Sequence, residues 1–236
     1  MNKDPVRARY GALLASIGDR ANEIEPRPLV SHWPHVGSAY RGLLIVGQAL
    51  RGWGGEWQAG AVRTAEGRER VLDATVGAAT EHREPLAWVP SHRKVRNSPF
   101  WTFSRHLVEA IEPGSEPWYA RYAWANLYPV APERPPGNPT GVLKEGQDPF
   151  VGPLLLDLVE MLDARRVVVI AGPVYWYHAR RTGDLWDLSP AEKPLTWRGR
   201  AYGRDWVIGY HPQWASFQGW GAPRYAQLAA RAFEPS

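Results

Sequence analysis

The run Leu43-Leu44-Ile45-Val46-Gly47 decides the fold. Five consecutive residues without a polar side chain offer no face to water, so a strand here is expected to be covered on both sides, as inside a parallel sheet. Pro26, Pro28 and Pro34 precede it and favour an extended approach. Gln48 and the glycine-rich loop Gly52-Trp53-Gly54-Gly55 follow it and mark where the strand ends.

Three further apolar runs, at 122–127, 166–171 and 206–209, have the same length and character, and helical patterns separate them. Asp4-Pro5 supplies a cap and a first-turn proline, and Val6, Tyr10, Leu13, Leu14 and Ile17 fall on one face of a helix expected over 4–22. A second helix is expected around 64–80. Ser98-Pro99 opens a third, whose stripe is Phe100, Phe103, Leu107, Val108 and Ile111, and Pro113-Gly114 closes it. Helices over 154–162, from 173 to 181, and through Tyr225, Leu228, Ala229 and Ala232 complete the set. The segment 130–150 holds five prolines and three glycines and reads as a long loop, and 198–203 reads as a small β arm. Strands alternating with helices predict a three-layer α/β/α sandwich around a mainly parallel four-stranded sheet, in one domain spanning 1–236 with the N-terminal helix packed on it.

Composition narrows the chemistry. With no cysteine, the chain has no disulfide, no thiolate-ligated zinc or iron–sulfur centre and no cysteine nucleophile. The first ten residues are polar and no stretch approaches the roughly 20 apolar residues of a membrane span. A cytoplasmic monomer without membrane contact is therefore expected. A formal net charge of +4 and 13 tryptophans suit an anionic partner with flat faces, and nucleic acid combines the two.

In open α/β sheets, ligands bind beyond the carboxyl ends of the strands. Three of the four expected strands deliver a hydrogen-bonding side chain there: Gln48, Asn126 and His211. Their convergence on one rim is the central expectation about function. Other site signals are weak. Gly52-Trp53-Gly54-Gly55 lacks the spacing of a phosphate loop or dinucleotide fingerprint, no G-x-S-x-G element is present, and His32-x-x-His35 lacks a third ligand at motif spacing. No metal and no cofactor is expected.

In their order along the chain, Leu44-Ile45-Val46-Gly47-Gln48, the strand ending at Asn126-Leu127, the strand Val167-Val168-Val169-Ile170, and His211-Pro212 after an apolar strand resemble the landmarks of the uracil-DNA glycosylase superfamily. Ser98-Pro99 also stands where that family has a phosphate-contacting segment. The resemblance runs from about residue 43 to 219 and implies a uracil-DNA glycosylase-like fold acting on DNA. It implies that a flipped base, uracil or a deaminated purine, is recognised or excised by hydrolysis of its N-glycosidic bond. On that reading Asn126 reads the base edge, His211 stabilises charge on the departing base, and the backbone at Gln48 binds the base or positions water. Gly47, Ala49, Trp53 and Phe100 join Asn126 around the base. Arg93, Lys94, Arg96, Ser98, Pro212, Gln213 and Trp214 face the nucleic-acid backbone, with Trp214 able to enter a base step.

Two departures qualify the resemblance. Ala49-Leu50 stands where the best-known pattern has Asp followed by Pro, so the water-activating carboxylate is missing there, and Glu56 in the same loop reads as a solvated acid. Gln213-Trp214-Ala215-Ser216-Phe217 replaces the family's serine-rich wedge. A catalytically inactive nucleic-acid-binding module of the same fold is therefore an alternative. A third reading, from a different class, is a carbohydrate-active protein that stacks sugars on tryptophan and uses Asp157 and Glu160 as paired acids.

Overall fold

Each apolar run is a strand in the computed structural model of the chain, which describes residues 3–49, 55–82, 84–92, 97–133 and 137–234. In chain order the first half forms α1 (Asp4–Asp19), β1 (Leu29–Ser31), β2 (His35–Val36), β3 (Leu43–Ala49), α2 (Ala65–Thr80), α3 (Trp88–Ser91), α4 (Pro99–Ile111) and β4 (Ala123–Tyr128). The second half forms β5 (Val130–Pro132), α5 (Gly141–Gln147), α6 (Val151–Met161), β6 (Arg166–Val169), α7 (Pro173–Thr182), β7 (Ser189–Pro190), β8 (Leu195–Ala201), β9 (Arg204–Gly209), α8 (Pro212–Phe217) and α9 (Ala222–Arg231).

The sheet is mixed and larger than the expected four strands: seven strands lie in the order β2-β4-β3-β6-β9-β8-β7. β4, β3, β6 and β9 pair in parallel, while β2 on one side and β8 and β7 on the other pair antiparallel. The additions escaped the sequence for a physical reason. β2 and β7 are two residues long, too short to show alternation, and β8 carries the exposed stretch Arg198-Gly199-Arg200. The expected arm at 198–203 is the far end of β8 and its turn into β9. The expected loop 130–150 is also corrected: it contains β5, which pairs with β1 in a separate two-stranded sheet, and α5. Gln147 at the end of α5 is fully buried and anchors β5, accepting from Val130 N at 3.1 Å and donating to Val130 O at 2.9 Å. A buried amide satisfied on both sides lets a proline-rich segment pack.

Helices cover both faces of the sheet. Leu44, Val46, Val167 and Val169 pack with residues of α1, α2, α6 and α7. Leu43, Ile45, Val168 and Val207 face the other way, onto residues of α4 and α9. Strand alternation sends successive residues to opposite layers, so an all-apolar run buries both of its faces. Phe103 and Tyr225, both fully buried, join α4 to α9 with ring centroids 4.6 Å apart. Ser98 caps α4 as expected, its Oγ accepting from Trp101 N at 3.3 Å, and Thr64 Oγ1 accepts from Gly67 N at 3.1 Å at the start of α2, whereas Asp4, expected as a cap, is the first residue inside α1 and Lys3 takes the cap position. The first helix ends at Asp19 rather than at 22. No helix among the described residues is long and apolar enough to cross a membrane.

Candidate functional site

At the carboxyl ends of β3 and β4 lies a cavity of about 600 Å³, within the range of small-molecule sites. Gly47 is directly opposite Asn126 in the parallel register. Gly47 shares the alternation of Leu43 and Ile45, and Asn126 that of Trp124, so both belong to the layer that contains α4. The close approach needs glycine: a Cβ at Gly47 would lie 2.8 Å from Asn126 Oδ1 and 3.1 Å from Phe100 Cε2. Asn126 is only 5 % exposed, and its Nδ2 has no hydrogen-bond partner among the described residues. A buried amide with an unused donor is costly, which sets Asn126 apart from the satisfied polar groups of the fold.

Aromatic rings build the walls. Phe100, in the first turn of α4, faces His211 with ring centroids 6.3 Å apart and planes 19° from parallel. Trp101 and Trp124 meet edge to face at 4.9 Å. His211 caps α8, and its Nδ1 accepts from Gln213 N at 3.3 Å. In the neutral ring that bond leaves the proton on Nε2. Trp214 stacks on Tyr210 at 4.2 Å and is 43 % exposed, and Phe217 one turn later is 78 % exposed, so the rim carries two large apolar side chains in water.

No Asp, Glu, Lys or Arg stands among the described residues lining the cavity. It therefore suits an uncharged, flat, hydrogen-bonding ligand, since a charge moved there would be desolvated without a counterion. Glu56 is exposed and does not line the cavity. Nor do Asp157, which pairs with Arg9 at 2.5 Å, and Glu160, which is exposed on α6.

Of the residues singled out in the sequence, Gly47, Gln48, Ala49, Ser98, Phe100, Asn126, His211, Gln213 and Trp214 all line this one cavity. Pro212 is buried at the start of α8 and is not among them. Trp53, Arg93, Lys94 and Arg96 lie outside the described residues. Gln48 takes a different part from the other two rim residues: it alternates away from Gly47, and its side-chain amide hydrogen-bonds Tyr175 on α7. Burial raises the Tyr175 hydroxyl pKa, against the opposing bond from Gln48. Tyr175 meets Tyr128 at 5.3 Å, and the Tyr128 hydroxyl donates to Asp148 at 2.5 Å, so Gln48 is tied to a polar cluster on the opposite layer.

Trp124, Asn138 and Phe217 also line the cavity and were not expected there. Trp124 had a signal, since it stands two residues before Asn126 on the same strand and so shares its face. Asn138, in a proline-rich connection, had none. No model of a known protein family matches the chain, and comparison with curated proteins gives no match.

Proposed function

We propose that the cavity receives one base turned out of a nucleic-acid strand, and that the protein recognises and excises an altered base, uracil or a deaminated purine. The observation that carries this reading is the enclosed Asn126 amide with its unused Nδ2, held beside Gly47 in a cavity that no charged side chain lines among the described residues and that Phe100, Trp101 and Trp124 wall. An amide presents a donor and an acceptor side by side, the complement of an imide or lactam edge. The rings supply stacking for a base that has left its own stack. The order of motifs, which resembles that of the uracil-DNA glycosylase superfamily, supports the same reading.

In the reaction, a water oxygen bonds to C1′ of the sugar while the C1′–N bond breaks, and its electron pair leaves on the base. Charge then grows on a base carbonyl oxygen, where the Nε2–H of His211 is the donor. The water loses its proton to solvent and the base departs. Since no carboxylate lines the cavity among the described residues, stabilisation of the leaving group carries the rate. The backbone at Gln48 and Ala49 orients water. Ser98 and the first turn of α4 hold a phosphate beside the flipped nucleotide, with Arg93, Lys94 and Arg96 just before them in the chain. Trp214, backed by Tyr210, fills the gap left in the stack.

The test is incubation of stoichiometric protein with oligonucleotides carrying uracil, hypoxanthine or xanthine, followed by cleavage at abasic sites. Strand breaks at the altered base, lost in Asn126→Ala and reduced in His211→Ala, are expected. The absence of abasic sites on all three would refute excision. Ala49 and the lack of a carboxylate among the described lining residues favour a second reading, a binding module without turnover. It predicts salt-dependent affinity for the altered strand that weakens in Asn126→Ala although no base is released.

A further inference from the structure

A second cavity, of about 240 Å³, opens on the other side of Trp124, between the short edge strand β2 and helix α2. His32, His35, Trp88 and Trp124 form its flat walls, and Thr75 and Ala78 of α2 stand across from them. The imidazole rings of His32 and His35 have centroids 5.1 Å apart, and that of His32 lies 4.5 Å from Trp124. His32 and Trp124 are each 5 % exposed. Three buried ring nitrogens of this wall, His32 Nε2, His35 Nδ1 and Trp124 Nε1, have no hydrogen-bond partner among the described residues.

We infer that this cavity is a second binding site, independent of the first, for a small uncharged heteroaromatic ring that carries a hydrogen-bond acceptor. The ligand class follows from the wall. An indole N–H can only donate, so the occupant must accept. Neutral imidazoles donate from one nitrogen and accept at the other, so they match a ring with both functions. Burial keeps both imidazoles neutral at pH 7, lowering the pKa of His35 to about 4 and that of His32 well below the ordinary value. No carboxylate lines the cavity and no group of three His, Cys, Asp or Glu gathers among the described residues, so a divalent cation would arrive without a compensating charge. The volume lies below that of a drug-sized site and suits one or two fused rings. A flat ring can stack on an imidazole or indole face of this wall, a contact that water cannot make.

The experiment is NMR of protein labelled with 15N-histidine, following the imidazole signals of His32, His35 and His211 while free adenine is added. Saturable shifts of His32 and His35 are expected, and they should persist in Asn126→Ala, which disables only the first cavity. They should weaken by about tenfold or more in affinity, the cost of one lost buried hydrogen bond, in His35→Phe. They should vanish in Ala78→Phe, which projects a ring into the cavity from an exposed helix position and leaves the core untouched. Shifts confined to His211 would overturn this second site while supporting the first. Shifts of His32 and His35 produced by zinc ions and not by adenine would overturn the ligand class. No shift at either histidine with any addition would overturn the site.

Discussion

At the scale of single residues, Gly47 and Asn126 depend on each other. Position 47 does not need glycine for its backbone angles; what Gly47 supplies is the missing side chain that lets Asn126 Oδ1 and Phe100 close over it. Gly47→Ala is therefore expected to displace the amide by a few tenths of an ångström or more and to weaken binding of free uracil about tenfold, as loss of one buried hydrogen bond would. Calorimetric titration measures it, and an unchanged affinity would remove Asn126 from the site. His35 supports a second residue-scale prediction. Its folded pKa of about 4 lies below the ordinary 6.5 because burial disfavours the charged ring. The unfolded chain then binds more protons, so stability falls as pH drops from 6.5 toward 4, at up to about 1.4 kcal/mol per pH unit for this one group. Urea denaturation across that window should show the slope, and His35→Phe should flatten it.

At the scale of elements, the Ser98 cap and the buried strands were legible and the short pieces were not. Ser98-Pro99 announced α4, and Ser98 does accept from Trp101 N. Ser98→Ala should lower stability by about 1 kcal/mol, the usual value of such a cap, and equilibrium unfolding would show whether it does. The runs at 43–47, 122–127, 166–171 and 206–209 were visible because a strand buried on both faces is apolar along nearly its whole length, with Arg166 at a strand start and Asn126 near a strand end. β2, β7 and β5 were not, because two or three residues carry no periodicity. α5 was hidden by the surrounding prolines and glycines, and its place is fixed by a tertiary event, the burial of Gln147 against β5. At the site, Gly47, Asn126, Phe100 and His211 were legible from strand ends and motif order. Side-chain direction was less so: the pull of Tyr175 on the Gln48 amide comes from α7, more than a hundred residues away in the chain.

At the scale of the whole molecule, two features are set by the fold and by no single element. The parallel centre of the sheet brings the ends of β3 and β4 together with the β9–α8 junction, so that residues 47, 126 and 211 line one hollow. Trp124 then stands between that hollow and the second cavity, which opens at the sheet edge. The excess of positive charge, +4 over the full chain, predicts that affinity for an oligonucleotide falls steeply as salt rises, while affinity for a free base does not. Comparing the two at low and high salt separates strand contacts from base contacts. The most direct measurement is a crystal structure of the protein soaked with free uracil. The ring should lie between Phe100 and the His211 side of the first cavity with its imide edge on the Asn126 amide. A soaked crystal with Asn126 untouched and uracil elsewhere, or nowhere, would contradict the reading of this hollow as a base site.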